Sequence, residues 1–133
     1  MHREQRTLGS DHRLVMVDSI TQLVDQDLGA WVICGSHGGS SAAEVALKVA
    51  PSLVCLNDAG VGKDSAGILA LMRLQSQGLA ALTVAHTSAR IGDSRDAWDN
   101  GIISHLNPMG LSWGFESGER LQPALLRIAA SRA

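Results

Sequence analysis

The stretch WVICGSHGGSSAAEVALKV, residues 31–49, decides the fold. Its first four residues form an uninterrupted apolar run, which predicts a buried strand. A turn with three glycines, residues 35–39, follows, and alanine and leucine then recur at the spacing of one helix face from Ala43 to Ala50. A strand, a glycine-rich turn and a helix in that order indicate one unit of an α/β fold.

The same pattern repeats on both sides of this stretch. Further apolar runs stand at 13–20, 52–56 and 79–85, and helical spacing covers 64–77, 93–106 and 121–128. Strands that alternate with such helices indicate a parallel sheet with right-handed crossovers, and unbroken apolar runs indicate strands covered on both faces. The sequence therefore predicts an α/β fold, a three-layer sandwich with a central, mostly parallel sheet of about four strands. The short link at 21–30 leaves open an antiparallel arrangement of the first two strands.

The length of 133 residues predicts one domain. We expect the polar residues 1–12 to form a loosely attached N-terminal arm and residues 13–133 to form a single α/β domain. The sequence has no hydrophobic leader and no apolar segment near the ~20 residues that a membrane span needs. We therefore expect a cytoplasmic protein without a membrane partner.

The composition argues against nucleic-acid partners. The formal net charge is −2 and aromatic residues make up 3% of the chain, so neither a basic face nor a base-stacking platform is indicated. Cys34 and Cys55 each end an apolar run, which predicts small, buried, free thiols.

Polar residues gather where the predicted strands end. They are Asp18, Ser19, the loop 35–41, Asn57, Asp58, Gly60, Lys63, His86, Ser88 and Arg90. In open α/β sheets, ligands bind outside the carboxyl ends of the strands. The connections at the opposite edge are short and plain, so we predict the site at the carboxyl edge.

The glycine-rich loop predicts an anion site. Gly35, Gly38 and Gly39 let the backbone approach a ligand closely, and a helix that begins near Ser40 points free N–H groups at the same place. A carboxylate or a phosphate would fit, although a strand-to-helix turn capped by Ser40 or Ser41 explains the same residues. We expect the substrate to contact Gly35, Gly38, Gly39, Ser40, Asn57, Gly60, Lys63, Ser88 and Arg90.

His37 is the first candidate for proton transfer, because it lies between glycines where no packing reason is evident. Asp18 or Asp58 would orient its ring, and His86 could share the work. A carboxylate beside an imidazole is the usual arrangement for general acid–base catalysis.

Ser36 is a second catalytic candidate, as a nucleophile. The run CGSHG, residues 34–38, is a relaxed form of the G-x-S-x-G motif at a strand-to-helix turn. Ser36, Asp58 and His86 also follow the chain order of an α/β-hydrolase triad. Adjacent side chains in a turn point apart, so we do not expect His37 to activate Ser36.

The sequence matches neither of two common nucleotide-binding motifs. NDAGVGKD, residues 57–64, has Asn57 and Asp64 where a P-loop needs glycine and serine or threonine. The glycines of the 35–39 turn do not give G-x-G-x-x-G. No nucleotide cofactor is therefore predicted.

A metal site has weak support. Asp18, His37, Asp58 and His86 are suitable ligand types for a divalent ion, but no HExxH or CxxC spacing accompanies them. We predict no cofactor and leave a divalent metal open. We expect His105 to be a cation near a helix end.

Together these residues predict a small enzyme that acts on a small anionic metabolite, as a hydrolase, lyase or isomerase using general acid–base chemistry. The competing expectation is a non-catalytic ligand-binding or structural subunit of a larger assembly. In either case we expect a homo-oligomer or a subunit of a complex.

Overall fold

The computed structural model describes residues 1–132 and shows a mixed α/β fold around one six-stranded sheet. The strands are β1 (Arg3–Leu8), β2 (His12–Val17), β3 (Trp31–His37), β4 (Leu53–Asn57), β5 (Ala80–Val84) and β6 (Ile103–Leu106). The helices are α1 (Ser40–Val49), α2 (Leu69–Gln75), α3 (Ser94–Asn100), α4 (Pro108–Trp113) and α5 (Leu121–Ser131), with 3₁₀ turns at Ile20–Gln22, Asp25–Asp27 and Lys63–Ile68. The strands lie side by side in chain order.

The four predicted apolar runs form β2 to β5, which are parallel. The antiparallel alternative for the first two is wrong, because Leu14 pairs with Trp31 in parallel register. The link at 18–30 buries Ile20 and Leu23 against one face of the sheet. The chain therefore crosses that face and returns to the amino-terminal edge of the sheet, so that β3 begins beside the first half of β2.

The sheet has six strands where about four were expected, and β1 is one of the two additional strands. It lies in residues 1–12, where we expected a loosely attached arm, and it pairs antiparallel with β2. The Arg3 guanidinium donates to both oxygens of the fully buried Asp27 carboxylate, at 3.1 and 2.9 Å. The Arg6 guanidinium lies 5.2 Å from the centre of the Trp98 ring. These long-range contacts hold a polar segment that has little apolar pattern of its own.

The second additional strand, β6, replaces the end of a helix predicted over 93–106. The helix α3 ends before Gly101, where a Cβ would lie 2.5 Å from the Ala97 carbonyl oxygen. The chain turns there and pairs antiparallel with β5, so that Leu106 lies opposite Leu82. The pairing partner, which is distant in sequence, decides the conformation of this segment.

Successive strand residues point to opposite faces of the sheet, and both faces are buried. One core contains Met16, Ile33, Cys55 and Leu82 with residues of α3 and α5; the other contains Val15, Val32, Val54 and Ala81 with residues of α1 and α2. The helices thus surround the central strands and leave the strand ends as the polar edges. Among the described residues, no helix combines the length and the apolar character that a membrane crossing requires.

Candidate functional site

The chain after β5 crosses the carboxyl edge of the parallel strands. This segment, residues 85–94, is tied to the ends of three strands in turn. The contacts are Asn57 Nδ2 to the Ala89 carbonyl at 2.9 Å, Gly92 N to the Gly35 carbonyl at 2.7 Å, and Ser94 N to the Asp18 carboxylate at 2.9 Å. The crossing segment therefore lies across the edge where the sequence predicted an anion site.

Gly35 and Gly38 have a structural explanation in this crossing. A Cβ on Gly35 would lie 2.6 Å from the Asp18 carbonyl oxygen and 2.6 Å from the Asp93 nitrogen. A Cβ on Gly38 would lie 2.4 Å from the Gly67 carbonyl oxygen. Only glycine allows these backbone segments to approach so closely, whether or not a ligand also binds near them.

The N-terminus of α1 begins at Ser40, and Gly39 is its N-cap without a side-chain capping bond. The alternative explanation of this loop, a cap by Ser40 or Ser41, is therefore wrong in its capping residue. The His37 ring lies against this end of the helix, because a Cβ on Gly39 would be 2.7 Å from its Cε1 atom. The side chain of His37 is exposed. The structure does not bring His37 into hydrogen-bond or ion-pair contact with Asp18 or Asp58.

Asp18 is saturated by donors from its own fold. Its Oδ1 accepts the N–H and the hydroxyl of Ser94, both at 2.9 Å, and its Oδ2 accepts the His2 N–H at 2.7 Å. Burial acts to raise the pKa of this carboxyl, but the hydrogen bonds from Ser94 and His2 outweigh it and the pKa is lowered. The carboxylate fastens α3 and the N-terminus to the end of β2.

Ser36 and the two cysteines are occupied or inert. The Ser36 Oγ accepts the Ile20 N–H at 2.9 Å, and no histidine contacts it within residues 1–132. Both thiols are free and buried. Burial raises the pKa of Cys34 to about 11 and raises the pKa of Cys55 further. None of the three side chains has the partner that nucleophilic catalysis needs.

Asp58 is the centre of a different group of side chains, which we call the Asp58 cluster: Asp58, His86, Ser104 and His105. Asp58 Oδ1 lies 3.5 Å from Nδ1 of His86, and Oδ2 lies 3.8 Å from Nδ1 of His105. The carboxylate side chain is 6% exposed, whereas the two rings are 54% and 38% exposed. A buried carboxylate thus lies within ion-pair distance of two imidazoles that solvent can reach, without a hydrogen bond to either ring, and Nδ1 of His105 is closer to Ser104 Oγ, at 3.2 Å.

Backbone donors fix the Asp58 carboxylate in place. Its Oδ1 accepts the N–H of Gly60 at 2.8 Å and that of His86 at 3.0 Å. Burial acts to raise its pKa, but the bonds from Gly60, Ser104 and His86 together lower it. The carboxylate is therefore ionised at neutral pH.

The loop after β4 shapes this cluster. Gly60 has a φ of +75°, and a Cβ on it would lie 3.2 Å from the His86 Cε1 atom, so the ring lies directly over the loop backbone. Val61 also has a positive φ of 67°, which is rare for a β-branched residue. Asp64 and Ser65 have positive φ as well, and the helix predicted over 64–77 therefore becomes a 3₁₀ turn before α2.

The remaining predicted ligand residues divide into two kinds. Asn57 and Ser88 serve the backbone: Asn57 Oδ1 accepts the Ala59 N–H at 2.8 Å, and Ser88 Oγ accepts the Ile102 N–H at 2.9 Å. Lys63 and Arg90 are exposed, and neither side chain forms an ion pair within the described residues. The Arg90 charge nevertheless acts on a neighbour, since it helps to lower the pKa of the Asp96 carboxyl, which accepts the Arg90 N–H at 2.7 Å.

Sequence reasoning missed two members of the Asp58 cluster. His105 was expected near a helix end, but it lies in β6 opposite Thr83. Ser104 Oγ is 2.9 Å from Thr83 Oγ1. Gly101 followed by two isoleucines was the available signal for a helix stop and a new strand.

Two further observations bear on the kind of site. In the part of the chain that the structure describes, no group of three His, Cys, Asp or Glu side chains is arranged to hold a metal ion. An open, mostly apolar pocket lies at the opposite end of the sheet, lined by Leu47, Ala50, Gln77 and Leu79.

No protein-family model, curated protein or solved structure matches this chain.

Proposed function

We propose that this chain is a small cytoplasmic enzyme that acts on a small anionic molecule by general acid–base chemistry, with His86 as the group that moves the proton. One observation carries the proposal. A buried, ionised carboxylate, Asp58, lies 3.5 Å from the ring of a half-exposed histidine. We therefore propose His86, in place of His37, as the group that transfers the proton. Asp58 is the carboxylate that orients its ring.

The chemistry follows from the two ring nitrogens. With Nδ1 of His86 directed at Asp58, Nε2 is the atom that takes a proton from a substrate or from water and later returns it. The carboxylate stabilises the imidazolium that forms in between. Hydrolysis, elimination and isomerisation all need such a group, and the proposal covers these three reaction types.

The proposed substrate is anionic because basic residues follow Asp58 and His86 closely along the chain. His105 adds a second ring on the other oxygen of Asp58, at 3.8 Å. Lys63 and Arg90 follow β4 and β5, whose ends carry the cluster, and both are exposed. A carboxylate or phosphate group would be attracted to this edge, and Arg90 could bind it through two parallel hydrogen bonds.

Two features outside the site support the proposed fold and location. We propose that helices α1 and α2 on one face and α3 and α5 on the other form the outer layers of a three-layer sandwich, which leaves the strand ends for the site. The two free, buried thiols suit a reducing compartment such as the cytoplasm.

The test begins with ligands and then separates binding from chemistry. Thermal unfolding is measured with inorganic phosphate and with small mono- and dicarboxylates, and turnover is measured with nitrophenyl esters and phosphate monoesters. In His86→Gln, turnover should fall by roughly 10²–10⁴-fold while the stabilising ligand still binds. In Lys63→Ala and Arg90→Ala, the stabilisation by the ligand should weaken.

His37→Gln is the matched control, since this histidine is also exposed at the same edge but does not contact Asp58. It should keep full turnover. Loss of turnover in His37→Gln with wild-type turnover in His86→Gln would reject the proposed assignment.

A non-catalytic ligand-binding subunit is the second candidate, and one observation favours it. The segment 85–94 covers the ends of β2, β3 and β4, so the edge has less room for a substrate than an open crevice provides. This candidate predicts ligand stabilisation that depends on Lys63 or Arg90, without turnover of any probe and with no effect of His86→Gln.

A further inference from the structure

The outer edge of β1 offers a surface that a second copy of this chain can pair with. β1 is the first strand of the sheet, and β2 covers one side of it only. The carbonyl of His2 accepts the N–H of Asp18, which lies opposite it, at 3.1 Å. Backbone groups alternate in direction along an antiparallel strand. The N–H and C=O groups of Arg3, Gln5 and Thr7 therefore point away from β2, toward the free edge.

The charges along this edge are self-complementary. Glu4 and Arg6 lie on one face of β1, where Arg6 Nε donates to Glu4 at 2.6 Å and the His2 ring and Arg95 also contact the Glu4 carboxylate, at 2.6 and 3.4 Å. If a second β1 runs antiparallel with Gln5 opposite Gln5, then Glu4 of each copy lies opposite Arg6 of the other. Gln5 would be a hydrogen-bonded pair and the Glu4–Arg6 pairs would be non-hydrogen-bonded pairs, in which side chains approach most closely.

The edge is also regular and already ordered. The register of β1 with β2 shows no shift from Arg3 to Leu8, and the strand contains no proline. Bulges and prolines are two of the devices that prevent edge-to-edge pairing; charged side chains are another, and on β1 they are spaced so that opposite charges meet in the antiparallel pairing. Arg3 is fixed by its bidentate bond to Asp27, and Arg6 by its contact with the Trp98 ring. Because these side chains are held before association, pairing loses little conformational entropy.

We propose that two copies of the chain join through their β1 strands into a two-fold symmetric dimer with one continuous sheet. The pairing is isologous and closes at two copies, since the same edge is used on both. This surface is independent of the proposed catalytic function, because β1 lies at the opposite margin of the sheet from β5 and β6.

The first test is the mass of the protein in solution, by light scattering after gel filtration over a concentration series. The wild-type chain should approach twice 14.0 kDa. Gln5→Pro removes an N–H that points away from β2, so the monomer should fold and the dimer should weaken by ~100-fold or more. Gln5→Ala keeps that N–H and is the matched control, with little change in association.

The charge pattern has its own test. Glu4→Arg places arginine opposite Arg6 twice in the symmetric dimer and should weaken it about tenfold. The double variant Glu4→Arg, Arg6→Glu restores opposite charges at both positions and should recover association. A double variant as weak as the single one would contradict the Gln5-centred register.

Amide exchange in the wild-type chain tests the same surface without any substitution. The amides of Gln5 and Thr7 should exchange fast in dilute protein and more slowly as the concentration rises. The amides of Glu4 and Arg6 face β2 and should be protected at every concentration. A chain that stays monomeric up to ~100 µM, or a dimer in which the Gln5 and Thr7 amides exchange freely, would overturn the proposal.

Discussion

Asp18 and Asp58 both follow a central parallel strand, yet the two carboxylates do different work. Asp18 receives the N–H and hydroxyl of Ser94 and the N–H of His2. Asp58 receives backbone N–H groups on one oxygen and has the rings of His86 and His105 beside it. Both carboxylates join segments of the chain, but only Asp58 also lies beside two histidine rings that solvent reaches.

The difference between them shows what a strand-end position does and does not indicate. The carboxyl edge of a parallel sheet brings polar residues together, but helix starts and crossing loops compete for the same acceptors. At Asp18 the start of α3 takes the acceptor capacity. At Asp58 the neighbours include two histidine rings that solvent reaches, so a ligand can contact them. Asp18 has no such arrangement.

The largest effect should come from a residue that supports the Asp58 region without belonging to it. In Gly67→Ala, the new Cβ would lie 1.8 Å from the Asp58 carbonyl oxygen, which is backbone and cannot rotate away. We expect a loss of about 4 kcal/mol or more in the free energy of unfolding, measured by urea denaturation.

Gly62→Ala is the control for that substitution. A Cβ there meets nothing within 4 Å, although the φ of +74° still disfavours alanine. Its loss should be about 1 kcal/mol. Equal stability of the two variants would mean that the loop around Asp58 is free to move, and the cluster would lose its fixed geometry.

Asp18→Ala should have the next largest effect on stability. It leaves the N–H groups of Ser94 and His2 without their acceptor in a part-buried place, which costs about 2–3 kcal/mol. Asp18→Asn keeps one acceptor oxygen for Ser94 and should cost about half as much. Neither variant should change ligand binding or turnover at His86, and a loss of turnover at full folding would assign Asp18 to the site.

The pH dependence of stability should report both carboxylates. The pKa of Asp18 and the pKa of Asp58 are both lowered in the folded chain, so each is deprotonated there at a pH where the unfolded chain still binds a proton. Their contribution is fully present above the unfolded value of about 3.9 and is lost as the pH falls through the folded pKa.

Denaturation curves measured between neutral and acidic pH check this sign. Asp18→Asn and Asp58→Asn should each flatten the loss of stability in acid. A variant whose acid limb is as steep as that of the wild-type chain would show that its carboxylate has no lowered pKa in the folded state.

Patterns within one segment predicted the centre of this molecule and missed its margins. The runs that became β2 to β5 are apolar throughout because both of their faces are buried, and that signal is local. β1 and β6 are specified by distant partners, such as Asp27 for Arg3 and the strand β5 for His105. A single sequence does not display those pairings.

The same distinction applies to the site. The strand ends predict Asp58 and His86 as candidates, but the predicted pairing of Asp58 with His37 depends on the direction of a side chain. His37 turns toward Gly39, and His86 lies over Gly60. The direction of a side chain in a loop depends on the backbone of neighbouring loops, which the order of residues in one loop does not reveal.

The smallest effect on stability separates the two regions most directly. His86→Ala removes a ring that is 54% exposed, and the His86 N–H that binds Asp58 belongs to the backbone and stays. We expect the free energy of unfolding to change by no more than ~0.5 kcal/mol, as for His37→Ala, in the same urea experiment. A histidine that is nearly neutral for stability yet held beside a buried carboxylate is free to serve a ligand. If His86→Ala instead lowers stability as much as Asp18→Ala, then the ring is a structural partner of Asp58, the two strand ends are alike, and the site must be sought elsewhere.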